Sequence, residues 1–303
     1  MAPTGRSGWS TLGRTMRHLV SIAAAAMTLV GATVANAAET IRFAVTDVDG
    51  MEEVQREYGP FKAAFEKVTG LKMDFFAVSG RTAAVEAMAA DQLDFVLTGP
   101  AEYVVFNARL KAQPVVVWTR PNYASSLLVL DDSPVKDFND LKGKKISFGS
   151  IGSTSQHLGP ATLLANAGLA YKTDYEPVFL KLNVAAEALL RGDIAAIGLN
   201  QTHIERVMKQ FPDKKFRAIG KGVQLPDDLI VVSSKVKPET VAKFREAFTK
   251  HKDEIQAAII STKENKKFVG GEFKAEVSDK DYDSVRKMYV NVGVKEFTKF
   301  IGN

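Results

Sequence analysis

Two stretches decide how this chain is divided: residues 84–96, Ala-Val-Glu-Ala-Met-Ala-Ala-Asp-Gln-Leu-Asp-Phe-Val, and residues 185–197, Ala-Ala-Glu-Ala-Leu-Leu-Arg-Gly-Asp-Ile-Ala-Ala-Ile. Each reads as a helix with apolar residues at helical spacing, then a tight turn, then a short apolar run suited to a buried strand. Recurrence of one unit predicts two α/β lobes of the same build. In open α/β sheets a ligand lies beyond the carboxyl ends of the strands, so the residues just past these two runs should face a shared cleft. Those residues are Thr98-Gly99-Pro100 in one copy and Asn200-Gln201 in the other.

Working outward, short β-rich runs alternate with amphipathic helices. Residues 41–45 read as a buried strand, and 60–68 as a helix with Phe61, Ala64, Phe65 and Val68 on one face, stopped by Gly70. A strand at 72–78, a helix at 81–90, a strand at 95–97, a helix at 100–109 and a strand at 115–119 complete a doubly wound α/β layer. Pro121-Asn122-Tyr123 then marks a turn, and the strand-like 126–130 comes next with no helix between, as a passage from one lobe to the next requires. Alternation resumes through 216–219, and 229–233 reads as a return strand before helices from Pro238, from about Asp253 and near 279–288. The expectation is lobe I from residues 38–123 and 227–303, and lobe II from 124–226. Crossings near 118–126 and 225–229 would serve as hinges.

The first 37 residues fall outside this pattern. Arg6, Arg14 and Arg17 with no acid, an apolar run from Leu19 to about Ala32, and Ala35-Asn36-Ala37 match the three parts of a secretory signal peptide. The apolar run is shorter than the roughly 20 residues a membrane span needs. Of 303 residues, 46% are hydrophobic and none is Cys, which rules out disulfides, thiolate metal sites, a lipid-bearing cysteine and a cysteine nucleophile. The formal charge of +5 drops to +2, 37 basic against 35 acidic residues, once the leader's three arginines are set aside. A nearly neutral exported chain, expected in the periplasm, gives no support to nucleic-acid binding. No cofactor and no metal site is expected, since His203 and His251 lack ligand spacing.

The most informative local signal is Gly149-Ser150-Ile151-Gly152-Ser153-Thr154-Ser155-Gln156-His157, which comes after a strand and opens a helix. The first backbone N–H groups of a helix lack internal partners and carry about half a positive charge, so hydroxyls there can complete a cradle for an oxyanion. One hydroxyl is enough for an N-cap, worth about 1 kcal/mol; three call for another reason.

Gly152-Ser153-Thr154-Ser155 with Leu158-Gly159-Pro160, Thr98-Gly99-Pro100-Ala101-Glu102-Tyr103, the second helix-turn-strand unit and Leu225-Pro226 together resemble the phosphonate-binding family of periplasmic solute receptors, over nearly all of residues 40–265. The resemblance implies a type II periplasmic-binding-protein fold and a receptor for an ABC importer of phosphonate, phosphite or phosphate. It also implies ligand contacts from Ser153, Thr154, Ser155 and Tyr103. The chain departs from the family pattern with Leu182-Asn183 in place of His-Asp, Ala195 in place of Asp, and Asn200 in place of an acid. Loss of those acids weakens an aminophosphonate and favours phosphite, phosphate or a simple alkylphosphonate, with Asp47 or Asp49 left to supply an acid.

Thr98, Gly99 and Asn200 enter as cleft-facing candidates, and Arg81, heading a lobe I helix, can pair with an anion. His157 lies one turn into the Ser-Thr-Ser helix, within reach of a ligand or packed near the cleft mouth. Neither a Gly-x-Ser-x-Gly elbow nor an HExxH helix is present, which disfavours an exported hydrolase. The expected partners are a small anion and an inner-membrane ABC permease, or alternatively a membrane sensor kinase, with the receptor a monomer.

Overall fold

Along β1 (Thr40–Val45) the side chains alternate between two cores: Ile41, Phe43 and Val45 face one, Ala44 the other. This period of two places β1 inside a sheet covered on both faces. The computed structural model describes residues 38–46, 48 and 50–300, so the export-signal expectation for 1–37 and the expectations for Asp47 and Asp49 fall outside them. β1 pairs in parallel with β2 (Lys72–Phe75) and β3 (Phe95–Thr98). β4 (Gln113–Trp118), the return strand β10 (Asp228–Val232) and the short β11 (Phe273–Lys274) complete a six-stranded sheet of order β11-β4-β10-β3-β1-β2. β10 sits between β3 and β4, antiparallel to both.

The second sheet has order β7-β6-β8-β5-β9, built from β5 (Ser125–Leu130), β6 (Lys145–Phe148), β7 (Glu176–Phe179), β8 (Ala196–Asn200) and β9 (Phe216–Lys221). β6 runs parallel to β7 and β8, whereas β5 runs antiparallel to β8 and β9. β4 and β5, consecutive in the chain, therefore belong to different sheets, as the helix-free turn at 121–123 predicts.

Helices α2 (Arg81–Ala89), α3 (Pro100–Leu110), α5 (Leu182–Arg191) and α6 (Gln201–Gln210) form near their predicted places. α1 does not. It spans Met51–Thr69, beginning well before Pro60. The sequence reading starts it at Pro60, from the apolar face of Phe61, Ala64, Phe65 and Val68. Val54, Tyr58, Phe61 and Phe65 instead form one continuous buried stripe, and burying the extra turns outweighs the hydrogen bond that Pro60 cannot donate. Gly70 ends the helix at φ +70°, its N–H reaching the Glu66 carbonyl at 3.0 Å.

α1, with α7 (Pro238–Lys250) and α8 (Lys252–Ile260), covers the outer face of the first sheet, where Phe43, Phe61, Phe65, Phe95, Phe244 and Phe248 interlock. Phe95 and Phe244 stack at 4.1 Å. α9 (Asp283–Asn291), expected within lobe I, touches helices of both sheets: the Tyr289 hydroxyl donates to the Ala101 carbonyl at 3.0 Å, and Asn291 Nδ2 to Thr162 Oγ1 at 3.2 Å. The two chain crossings lie side by side. Leu225 N–H donates to the Tyr123 carbonyl at 2.7 Å, Arg120 N–H to Asp227 Oδ1 at 2.8 Å, and Arg120 Nη1 stands 3.3 Å from Asp228.

Candidate functional site

The carboxyl ends of β1, β3, β6 and β8 gather Thr46, Thr98, the Ser153–Ser155 turn and Asn200, all of them buried. From the first sheet, β3 ends at Thr98, whose hydroxyl lies 3.1 Å from that of Thr46, and Gly99 forms the N-cap of α3. From the second, β6 leads through Gly149 into a π-type first turn, Thr154–Leu158, that continues directly as α4 (Gly159–Asn166). π-type turns inside helices recur at functional sites.

The three hydroxyls have three different partners. Ser153 caps the turn, its oxygen accepting from the Gln156 N–H at 3.4 Å. Thr154 reaches across to the other lobe and accepts from the Ala101 N–H at 3.0 Å. Ser155 accepts from Asn200 Nδ2 at 2.9 Å. Asn200 is itself the N-cap of α6: its Oδ1 accepts from the His203 N–H at 3.1 Å and faces His203 Nδ1 at 2.8 Å. That cap fixes which end of the amide is oxygen, so Nδ2 must point at Ser155, and the Ser155 proton is left to donate elsewhere. The Ser155 carbonyl accepts from Ser125 Oγ at 3.0 Å, which holds the turn against the start of β5.

Several expected residues stand apart from this cluster. Of the two expectations for His157, the hydrogen bonds accord with packing: Nδ1 accepts from the Gly152 N–H at 3.0 Å and Nε2 meets the Tyr171 hydroxyl at 2.9 Å, so both ring nitrogens are engaged. Burial, with Lys172 adding to it, pushes this imidazole down to about 3, so it stays neutral. Tyr103 is fully buried and donates its hydroxyl to Asp279 Oδ1 at 2.8 Å, and Arg286 holds the same carboxylate at 2.5 Å. Burial, and then Asp279, push the Tyr103 phenol above its ordinary range. With its proton directed at Asp279, the phenol oxygen offers only acceptor capacity on its other side.

Arg81 heads α2 as expected, yet its guanidinium Nε donates to Glu102 Oε1 on the first turn of α3. Sequence reasoning missed Glu102, although an acid three residues after an N-cap glycine was visible. It also missed Thr46, Ser125, His203 and Asp279, for which only proximity in space gives a signal.

The family described as "ABC transporter, phosphonate, periplasmic substrate-binding protein" matches residues 43–274, more than half of the chain. The chain belongs to this family. It is 26% identical over 276 residues to the phosphate-import protein PhnD of Mycolicibacterium smegmatis, covering 82% of this chain and 84% of that one. Among solved structures it is similar to a binding protein component of an ABC phosphonate transporter from Pseudomonas aeruginosa, with TM-score 0.67, 19% identity and coverage of 84% and 86% of the two chains. PhnD1 of Prochlorococcus marinus, solved in complex with methylphosphonate, gives TM-score 0.61 at 19% identity, with 84% and 98% covered. At such identities the structural likeness is one of fold, a type II periplasmic binding protein. The receptor is thus a substrate-binding protein of an ABC transporter by family, and the family is periplasmic.

Proposed function

We propose that this receptor closes its two lobes on a small phosphorus oxyanion, phosphite, phosphate or a simple alkylphosphonate, and presents it to an ABC permease. One observation carries the reading: two helix starts, α3 after the first sheet and the Thr154–Asn166 helix after a strand of the second, come into hydrogen-bond contact, with the Ala101 N–H donated to Thr154 Oγ1. Each start carries about half a positive charge, so the approach is repulsive until an anion sits between them. Ser153, Thr154, Ser155, Thr98, Gly99 and Asn200 then form the ligand shell, with Asn200 acting chiefly by aiming the Ser155 hydroxyl. A neutral amide at 200, already engaged with His203 and Ser155, offers no counter-charge to a substrate amine, which favours simple oxyanions over aminophosphonates. The names of its relatives, phosphate import in one and a methylphosphonate complex in another, agree with this ligand class.

The two adjacent crossings at 119–124 and 222–227 act as the hinge, and the protein works as a monomer. The test is calorimetric titration of the purified protein with phosphite, phosphate, methylphosphonate, 2-aminoethylphosphonate and sulfate. Binding of at least one of the first three, tighter than the aminoethyl compound, is expected. Preference for the aminoethyl compound overturns the reading of Asn200, and no binding of any phosphorus compound overturns the function.

A further inference from the structure

Glu102 is the one acidic side chain on the first turn of α3, and at 1% exposure it is as buried as the apolar core around it. Its carboxylate is held in a definite direction. Oε1 accepts from Arg81 Nε, while Oε2 lies 2.8 Å from the point where a Cβ on Gly99 would stand. A side chain at 99 would collide with it, so glycine is what lets the carboxylate fold back over the start of the helix. The adjacent Ala101 N–H crosses the gap to Thr154, and the Ala101 carbonyl is anchored by Tyr289. Through its closeness to Gly99, a residue of the proposed ligand shell, the carboxylate lies at the lobe I edge of that shell.

An ionised carboxylate only accepts hydrogen bonds. Beside a fully deprotonated anion it repels; beside an anion that carries a hydroxyl it accepts a hydrogen bond. Resting on the function proposed above, we infer that Glu102 makes the site require a ligand hydroxyl, selecting oxyanions that keep a P–OH and rejecting sulfate and sulfonates, which carry none at neutral pH. Arg81, held against Oε1, fixes the direction in which the carboxylate is offered. A glutamate at this place in a helix can also serve simply to cap it, reaching back to the N-cap backbone. The two roles separate in binding: a cap changes stability and leaves ligand selectivity untouched.

The experiment is calorimetric titration of the purified protein with two pairs of near-identical shape, methylphosphonate with methanesulfonate and phosphate with sulfate. It is run on the wild type, Glu102→Gln and Glu102→Asp, with thermal denaturation of each protein. The wild type should favour the phosphorus member of whichever pair it binds by at least about 100-fold, since a site built to bond a hydroxyl strongly rejects the analogue lacking it. Glu102→Gln, whose amide can donate, should bring that ratio below about 10, chiefly by gaining the sulfur compound. Glu102→Asp withdraws the carboxylate by one methylene and should lower the ratio at least about 5-fold, which decides the matter if the glutamine variant does not fold. A wild type that binds both members within about 10-fold, or a folded variant that keeps the wild-type ratio, overturns the inference while leaving the receptor function standing. A wild type that binds no phosphorus oxyanion at all overturns the function itself, and this inference with it.

Discussion

Asn200→Asp is the sharpest single perturbation of the proposed site, because it changes one atom's chemistry and keeps the side chain's shape. Asn200 is 2% exposed, with Nδ2 2.9 Å from Ser155 Oγ. Replacing that donor with an acceptor turns the Ser155 proton toward residue 200 and away from the ligand. A ligand oxygen bonded to Ser155 lies about 2.7 Å beyond it, which puts the new carboxylate about 5 Å from the anion. At an effective dielectric constant of about 20, two like charges at about 5 Å repel by about 3 kcal/mol. Losing a hydrogen bond to a charged ligand adds about 1.5 kcal/mol or more. The dissociation constant for phosphite or phosphate should therefore rise at least about 100-fold. Aspartate is as good an N-cap as asparagine, so α6 should persist, while the buried charge should lower the ligand-free melting temperature, as thermal denaturation would show. Calorimetry that finds phosphite affinity within about threefold of wild type would refute the placement of Ser155 and Asn200 at the ligand, since even the smaller of the two terms exceeds that change.

Three further predictions concern the surroundings of the site. Tyr103→Phe removes a hydrogen bond to a carboxylate, so urea denaturation should show a loss of about 1.5 kcal/mol or more, while ligand affinity stays within about threefold. A large affinity loss would restore the ligand contact that the family resemblance implies. The His157 imidazole is depressed from 6.5 to about 3, so the unfolded chain takes up the proton first and stability is lost as pH falls below 6.5. By pH 5 the loss from this group alone is about 2 kcal/mol, and His157→Gln should show a correspondingly shallower fall in urea-denaturation series across that range. Gly159→Ala places a Cβ against Ser125 Oγ and 2.9 Å from the Thr154 carbonyl; it should cost about 1–3 kcal/mol and, by displacing Ser125 from the Ser155 carbonyl, weaken ligand binding in the same titrations.

The elements were largely legible because periodicity is written locally. Phe43 alternating with Ala44 and the paired helix-turn-strand units at 84–96 and 185–197 need no knowledge of the residues across the core. The misplaced start of α1 has the opposite cause, for only the burial of Val54 and Tyr58 in the core shows that a helix can run through Pro60. The candidate site divides in the same way. The Ser153-Thr154-Ser155 run and Asn200 are visible as hydroxyl and amide groups at the ends of predicted strands.

By itself, then, the sequence determined two α/β lobes, a chain passing between them without a helix, a helix start crowded with hydroxyls and the absence of thiol chemistry. These depend on residue order over distances of a few turns. Tertiary structure alone decided which hydroxyl faces which partner: Thr154 to Ala101, Ser155 to Asn200, and Tyr103 to Asp279, as it decided that Arg81 meets Glu102. Those pairs join residues 21 to 176 positions apart. A hydrogen bond is set by a few tenths of an ångström and a direction, which no spacing along the chain contains.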